Sequence, residues 1–202
     1  MPNWCENDLT IIGPATQVNR LLEFIAGEDE SGEKTAFDFN KRIPYPEEYA
    51  AADRRYREWD GKRRKIFDEG LGYAHPETQR KLNALLEEYR VQRDDGLTIQ
   101  TVMDGYNNGG YEWCRANWGT KWNACHVSLE ERDQDSEKAV LHFETAWLPP
   151  EPVIVKLVGM FPELEFYHEY FECGMAFCGS AFYTKGELDK SSQGSYYGLR
   201  GG

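Results

Sequence analysis

Residues alternate between two faces at the start of the chain. From Trp4 to Ile12, every second position is suited to a core and the positions between are mostly polar or charged. The core side would carry Cys5, Asn7, Leu9 and Ile11. A period of two predicts a β-strand, and Gly13–Pro14 would end it.

Apolar residues then recur at the spacing of a helix, in the order Val18, Leu21, Leu22 and Ile25. We predict a helix that Thr16 caps and Gly27 stops. A short strand is predicted at Phe37–Phe39, and the prolines of Ile43–Pro46 rule out continued pairing. Two further helices, beginning near Glu47 and Pro76, are rich in charge and have at most one apolar stripe.

The second half of the chain predicts a short helix over 111–117, then a hairpin, a helix and two more strands. Centring the hairpin on Gln134 would place Val127 opposite Leu141, Cys125 opposite Phe143 and His126 opposite His142. A helix would follow Pro149–Pro150. Strands are predicted over 164–171 and 175–183, before a tail rich in Gly and Ser.

The order β-α-β, helical insertion, β-β-α-β-β predicts an α+β fold. Specifically, it favours a ferredoxin-like antiparallel sheet with helices on one face. Residues 1–46 would form the first part of this domain and 111–184 the second. Residues 47–110 would be a helical insertion, and 185–202 a flexible tail.

Composition narrows the class of protein. The 202 residues are 40% hydrophobic, enough for a folded core, and no apolar run is long enough for a membrane helix. Without a basic-then-apolar start we expect no secretory signal, so the protein should stay in the compartment where it is made. The five cysteines are expected to be reduced thiols, and we predict neither a bound metal nor a cofactor. The oligomeric state is left open.

The net charge of −12 argues against general binding of nucleic acids. Residues 54–65 are the exception, because seven basic residues against two acidic ones give +5 there and leave −17 elsewhere. Arg54, Arg55 and Arg63 of this segment are predicted to face a small anion. The alternative is a solvated helix face, which is what charge runs usually form.

The string most suggestive of a binding site is Trp118-Gly119-Thr120-Lys121-Trp122-Asn123. Two indoles could stack on a base, and Lys121 with backbone N–H groups could hold a phosphate. We therefore predict a ligand-binding site from Trp118, Thr120, Lys121, Trp122 and Asn123, joined by Asn3 and Trp4. The alternative is a buried turn whose tryptophans close the end of the sheet, with Asn123 bonding the backbone.

Other chemistry is less well supported. His126, His142 and His168 could share one face of the sheet and hold a metal or a phosphate. Glu144, Glu169 and Glu172 could supply a carboxylate pair for acid–base catalysis. No Gly-x-Ser-x-Gly or His-Glu-x-x-His motif occurs, so we name no catalytic residues.

Four segments resemble the YubB-like family of phage, plasmid and genomic-island proteins. They are Met1–Asn7, Phe37–Pro44, Asn117–Ala124 and Phe143–Pro150. The resemblance implies a ferredoxin-like domain and an accessory protein of a mobile element, acting in a bacterial cytoplasm. It does not extend to residues 53–95 or to the chain after Thr184, and it brings no catalytic residues with it.

Three functions follow as hypotheses. The first is a counter-defence protein that sequesters a small anionic, nucleotide-derived ligand, since binding requires shape, stacking and charge but no catalytic group. The second is an acidic protein–protein inhibitor, or DNA mimic, of a host nucleic-acid-binding protein. The third is an enzyme acting on nucleotides.

Overall fold

The computed structural model describes residues 3–28, 32–68, 72, 74–89, 91–92, 98–99 and 109–198. The chain divides into two compact units, of which the first combines Met1–Pro44 with Trp113–Gly202 and the second is Tyr45–Glu112. In chain order, the elements are β1 (Trp4–Ile12), α1 (Ala15–Ile25), β2 (Gly27–Glu28), β3 (Lys34–Thr35), α2 (Glu47–Asp68), α3 (Pro76–Glu88), β4 (Val91–Gln92), β5 (Thr98–Ile99), α4 (Tyr111–Asn117), β6 (Cys125–Leu129), β7 (Lys138–Ala146), α5 (Glu151–Met160), β8 (Glu165–Glu172), β9 (Phe177–Thr184) and β10 (Glu187–Ser195).

The first unit is built on a six-stranded antiparallel sheet in the order β10-β9-β8-β1-β7-β6. Its part β8-β1-β7-β6 places the fourth, first, third and second strands side by side, with α1 and α5 as the crossover helices. That is the arrangement of a ferredoxin-like domain. The predicted α+β, ferredoxin-like class is confirmed, and β9 and β10 extend the sheet beyond β8.

The core lies on one face of this sheet, as the alternation in β1 predicts. Leu9 of β1 pairs with Leu141 of β7, and both are fully buried. The apolar stripes of α1 and α5 are buried as well, through Val18, Leu21, Ile25, Val153, Ile154, Leu157 and Val158. The opposite side of the sheet is polar, with Asp8 exposed and Glu6 and Glu144 half-buried. It is called the open face below.

The predicted register of the β6–β7 hairpin was wrong. Leu141 pairs with Leu129 and His142 with Ser128, two positions away from the predicted partners. A β-bulge between Cys125 and Ser128 causes a further shift, and His126 adopts a left-handed backbone with φ 49°. A shift of two residues keeps every side chain on its face, so the hydrophobic pattern alone does not detect it.

Three other predictions need correction. Thr16 does not cap α1, because the helix begins at Ala15 after Pro14 and no side chain of the described residues caps it. Phe37–Phe39 is not a strand: Phe39–Lys41 forms a 3₁₀ turn, capped by the Asp38 carboxylate, which accepts the N–H of Asn40. The tail 185–202 is not loose where it is described, since Glu187–Ser195 pairs along β9. The chain reverses through Lys185 and Gly186, both with positive φ, the geometry of a tight hairpin turn. Residues 199–202 lie outside the described part of the tail.

The second unit contains the two predicted charged helices, α2 and α3, which contact each other. The one-sided stripe of α3 buries Leu82 and Leu85, and Tyr89 follows at its end. No residue of α2 is buried. Within the described residues, no helix combines the length and the apolar character needed to cross a membrane.

Candidate functional site

A cleft of about 490 Å³ opens in the first unit, between the start of α5, the loop at Gly119 and strands β8 to β10. It is called the α5 cleft below. Its walls carry both apolar and hydrogen-bonding side chains. Those important for its chemistry are Glu151, His168, Tyr170, Phe177, Tyr183 and Gln193.

Strand alternation places these groups on the covered side of the sheet. In β8, His168 and Tyr170 share the face of the buried Phe166. Opposite Tyr170, β9 has Gly179, and a Cβ there would come within 2.4 Å of the Tyr170 hydroxyl oxygen. The missing side chain therefore gives the tyrosine ring room to lie across β9.

His168 is held by a hydrogen bond to the side chain of Asn7 on β1. The imidazole is 2% exposed, and its Nε2 lies 3.1 Å from Oδ1 of Asn7. The Asn7 amide nitrogen donates to the carbonyl of Cys5 and to the Thr145 hydroxyl, which fixes its orientation. An amide oxygen only accepts hydrogen bonds, so Nε2 of His168 must carry the proton.

The other ring nitrogen, Nδ1, is then an acceptor with a free lone pair. It has no hydrogen-bond partner within the part of the chain that the structure describes, and His168 lines the cleft. Burial lowers the pKa of His168 to about 4, against a smaller opposing effect of the Asp8 carboxylate. The imidazole is therefore neutral at neutral pH.

The two tyrosines of the cleft are neutral as well. Burial raises the pKa of Tyr183 to about 12 and also raises the pKa of Tyr170. Gln193 of β10 donates from Nε2 to the Tyr170 hydroxyl oxygen over 3.0 Å. The hydroxyl hydrogen of Tyr170 then remains for another acceptor. Among the residues described as lining the cleft, Glu151 is the charged one, and there is no Lys or Arg.

Three residues of the predicted tryptophan loop lie in the interior. The indole N–H of Trp118 donates to the carbonyl of Ile43, and the Thr120 hydroxyl donates to the carbonyl of Ala146. Asn123 accepts the N–H of Phe39 and donates to Asp38. All three are buried. Their contacts match the alternative in which the loop closes the end of the sheet.

The remaining loop residues are half-buried. Lys121 Nζ lies 4.7 Å from the centre of the Trp122 ring, and that ring lies 6.2 Å from Trp4. The carbonyl of Asn3 accepts the N–H of Trp147. The structure thus brings Trp4, Lys121 and Trp122 together, while the loop reaches the α5 cleft through Gly119. Ligand binding by these residues stays a prediction.

The predicted anion-binding arginines lie on α2 in the second unit. Arg54 pairs with Glu47, and Arg63 Nε donates to Asp60 over 2.8 Å. Arg55 donates to the carbonyl of Tyr89. These are the contacts expected of a solvated, charged helix face, the alternative given for this segment. A role for the three arginines in binding an anion stays a prediction.

The three histidines do not share a face, so that hypothesis was wrong. His126 and His142 are on the open face, where His126 bonds Glu144 and His142 bonds both Asp8 and Glu130. The bond to Asp8 is the main cause of a raised pKa for His142. His168 is buried on the other side. No group of three metal-ligating side chains occurs among the described residues.

The three glutamates of the acid–base hypothesis are also separated. Glu144 and Glu169 are on the open face, whereas Glu172 is buried. The Glu172 carboxylate accepts the N–H groups of Gly174 and Met175, which ties the turn after β8. Its visible role is to satisfy buried backbone donors.

Sequence reasoning missed the site formed by the cleft residues His168, Tyr170, Tyr183 and Gln193, with Asn7 holding His168. One signal was present, because Asn7 stands among the core positions of β1 and His168 among those of β8. A polar residue at a core position needs a hydrogen-bond partner. Asn7 and His168 are partners of each other. Gln193 gave no signal, because β10 has no apolar pattern.

Comparisons with known proteins relate part of this unit to a described protein family. Residues 114–197 match a family model described as the ferredoxin-like domain in Api92-like protein. The uncharacterized protein YubB of Escherichia coli K12 is 27% identical over 97 residues, 45% of this chain. Those residues are 66% of YubB, slightly less than two thirds of its length.

A crystal structure of the protein api92 from Yersinia pseudotuberculosis has a TM-score of 0.50 and 14% identity. The alignment covers 98% of this chain and 99% of that one. At this identity the likeness concerns the fold alone. Residues 114–197 are therefore similar to the ferredoxin-like domain of Api92-like proteins, and YubB is a distant relative.

Proposed function

We propose that this chain is a binding protein that captures a small molecule in the α5 cleft. The supporting observation is the neutral His168 imidazole, whose Nδ1 lone pair has no partner among the described residues. An acceptor at the wall of a cleft, without a partner in the protein, can take a hydrogen bond from a bound ligand. The cleft volume of about 490 Å³ lies within the range of small-molecule sites.

Capture suits the chemistry of the cleft better than turnover. A general base works best when its pKa is near the working pH, and the pKa of His168 is about 4. Such a base removes protons poorly at neutral pH, while its lone pair still accepts a hydrogen bond. On the resemblance to proteins of mobile elements, we place this capture in the bacterial cytoplasm, as a counter-defence function.

The charge expected of the ligand changes within this proposal, because the described part of the cleft has no cation for an anionic group. Glu151 is the charged side chain among the described cleft residues, which lack Lys and Arg. A phosphate would meet no cation there, whereas a base or sugar would meet aromatic rings and hydrogen-bonding groups. The α5 cleft thus favours the uncharged part of a nucleotide-derived ligand.

Thermal shift against bases, nucleosides, cyclic nucleotides and ADP-ribose derivatives tests the proposal. A ligand at about one hundred times its Kd adds about 2.7 kcal/mol, which raises Tm by roughly 5–10 °C for a chain of this size. Ser191→Tyr would fill the cleft and abolish the shift. Ser192→Tyr is the matched control, because Ser192 is the neighbouring exposed residue and lines a different pocket, on the open face.

Two results would contradict capture in this cleft. One is a flat melting temperature across the whole panel at millimolar ligand. The other is a ligand-induced shift that Ser191→Tyr leaves unchanged, since binding would then occur elsewhere.

The second candidate, a protein–protein inhibitor, is favoured by the acidic open face. Glu6 pairs across strands with Glu144, and Asp8 with Glu169. Like charges directly opposite each other destabilise a sheet, and a basic partner would relieve the repulsion. We expect salt-sensitive binding to a purified basic DNA-binding protein, lost in a Glu6→Lys, Glu169→Lys double variant. This candidate would be refuted if binding were unchanged at high salt and in the double variant.

A further inference from the structure

We propose that the α5 cleft selects an uncharged planar heterocycle that donates an N–H to Nδ1 of His168, with Asn7 as the residue that positions this acceptor. The inference rests on the proposed function and adds the chemical class of the ligand. It names a nucleobase-like edge, as in a free base or a nucleoside, rather than a phosphate, as the recognised group.

The acceptor is fixed by the strand pairing. Asn7 of β1 and His168 of β8 lie on the same side of adjacent strands, one diagonal step apart in the register. Because the Asn7 amide nitrogen is already bonded to Cys5 and Thr145, its oxygen faces the imidazole. The proton therefore stays on Nε2, and Nδ1 accepts only.

A donor lies beside this acceptor. The Tyr170 hydroxyl oxygen accepts from Gln193, so its hydrogen is available to a ligand. The rings of His168 and Tyr170 have centroids 5.4 Å apart, which one heterocycle could bridge. A ligand edge that presents a donor next to an acceptor fits this pair. Amide and amidine edges of nucleobases have that arrangement.

The surroundings favour a flat, uncharged ring. Phe177 lies 6.2 Å from Tyr170 in an edge-on arrangement, and both line the cleft. Aromatic walls of this kind hold planar ligands by stacking. Glu151, also in the wall, would repel a phosphate. Burial keeps the imidazole neutral, which suits an acceptor and not an anion-binding cation.

Isothermal titration calorimetry with the full chain tests the ligand class. The matched probes are adenosine, N6,N6-dimethyladenosine, which lacks the exocyclic donor, and AMP, which adds a phosphate. A ligand without the donor leaves Nδ1 buried and unpaired, so we expect it to bind about 10-fold to 100-fold more weakly. AMP is also expected to bind more weakly than adenosine.

Asn7→Asp tests the positioning role. A carboxylate at this position would stabilise the charged imidazole, so Nδ1 would carry a proton and become a donor. The preference for adenosine over its dimethyl analogue is then expected to disappear, a change that simple destabilisation does not produce. In the wild-type chain, ¹⁵N NMR of the ring is expected to show an unprotonated Nδ1 that shifts on adding adenosine. This NMR measurement uses the wild-type chain, so it does not depend on whether the variant folds.

The outcomes separate the two proposals. If small molecules bind in the cleft, as judged by Ser191→Tyr, but donors and donor-free analogues bind equally, this inference is overturned and capture stands. An unprotonated Nε2 in the NMR spectrum would also overturn it. If no probe of any class binds, both proposals fail.

Discussion

The side-chain oxygen of Asn7 lies 3.1 Å from Nε2 of His168, and this bond joins two buried polar residues on adjacent strands. It sets the protonation of the imidazole as well as its position. A carboxylate in place of the amide would favour the charged ring. In Asn7→Asp we therefore expect the pKa of His168 to rise from about 4 to above its ordinary 6.5. An NMR titration measures it.

Asn19→Asp is the control for that experiment, because it adds the same charge on α1, where Asn19 bonds Gln134 and Arg132. It should leave the pKa of His168 near 4. A low pKa in Asn7→Asp would show that the two side chains do not share this bond in solution.

His168 should make the fold more stable as pH rises between about 4 and 6.5. Its pKa is lower in the folded than in the unfolded chain, so the unfolded chain binds the extra proton in this range. The contribution is complete above pH 6.5 and is lost as pH falls to 4, by about 3 kcal/mol in total. Urea unfolding of wild type and His168→Gln across this range gives the difference.

His142 should show the opposite sign. Its pKa is raised by the hydrogen bond to Asp8, so its contribution is complete below pH 6.5 and is lost as pH rises through the raised value. Unfolding of His142→Gln relative to wild type should therefore show a loss of stability that is largest at low pH. A profile with the same sign as that of His168→Gln would contradict the Asp8 contact.

Gly119→Ala should destabilise the first unit. Gly119 has φ +78°, and a Cβ there would lie 2.5 Å from the Pro152 ring at the start of α5. Left-handed strain and the clash together should lower the free energy of unfolding by about 2 kcal/mol or more. Gly159→Ala on α5 is the control, since its Cβ would meet nothing within 4 Å. In chemical denaturation, the free energy of unfolding of Gly159→Ala should rise by about 0.5 kcal/mol. Equal effects at the two positions would refute the argument.

Deleting residues 187–202 should weaken both the fold and the cleft. The deletion removes all of β10, which forms eight residue pairs with β9. A backbone hydrogen bond contributes a net of about 1 kcal/mol, so the free energy of unfolding is expected to fall by at least about 3 kcal/mol. Deleting 199–202 alone is the control and should change little. Chemical denaturation compares the two. A harmless loss of 187–202 would restore the view of this segment as a dispensable tail.

Elements that bury an apolar stripe could be predicted from the sequence. The alternation in β1 and the spacing of Val18, Leu21 and Ile25 in α1 led to the right elements and to the ferredoxin-like class. The sequence did not predict β10, because every one of its residues is exposed and backbone groups supply its pairing with β9. No side-chain pattern reports such pairing.

The candidate site was harder to predict for a related reason. Tryptophans in a Gly-Thr-Lys loop suggested an open stacking surface, yet Trp118 fills the interior and bonds Ile43. The sequence does not distinguish an indole that seals a core from one that awaits a ligand. The cleft instead depends on residues far apart in the chain, such as Asn7 and His168, which only the strand order brings together.

Strands β9 and β10, joined by the tight reversal at Lys185–Gly186, make one wall of the cleft an extension at the edge of the four-stranded ferredoxin-like sheet. Substitutions in β9 and β10 can therefore reshape the cavity while the packing of Leu9 against Leu141 is untouched. Homologues with the same scaffold would then be free to bind different ligands. Substitutions that change the ligand would fall on β9 and β10, whereas those that affect folding would fall on strands such as β1 and β7.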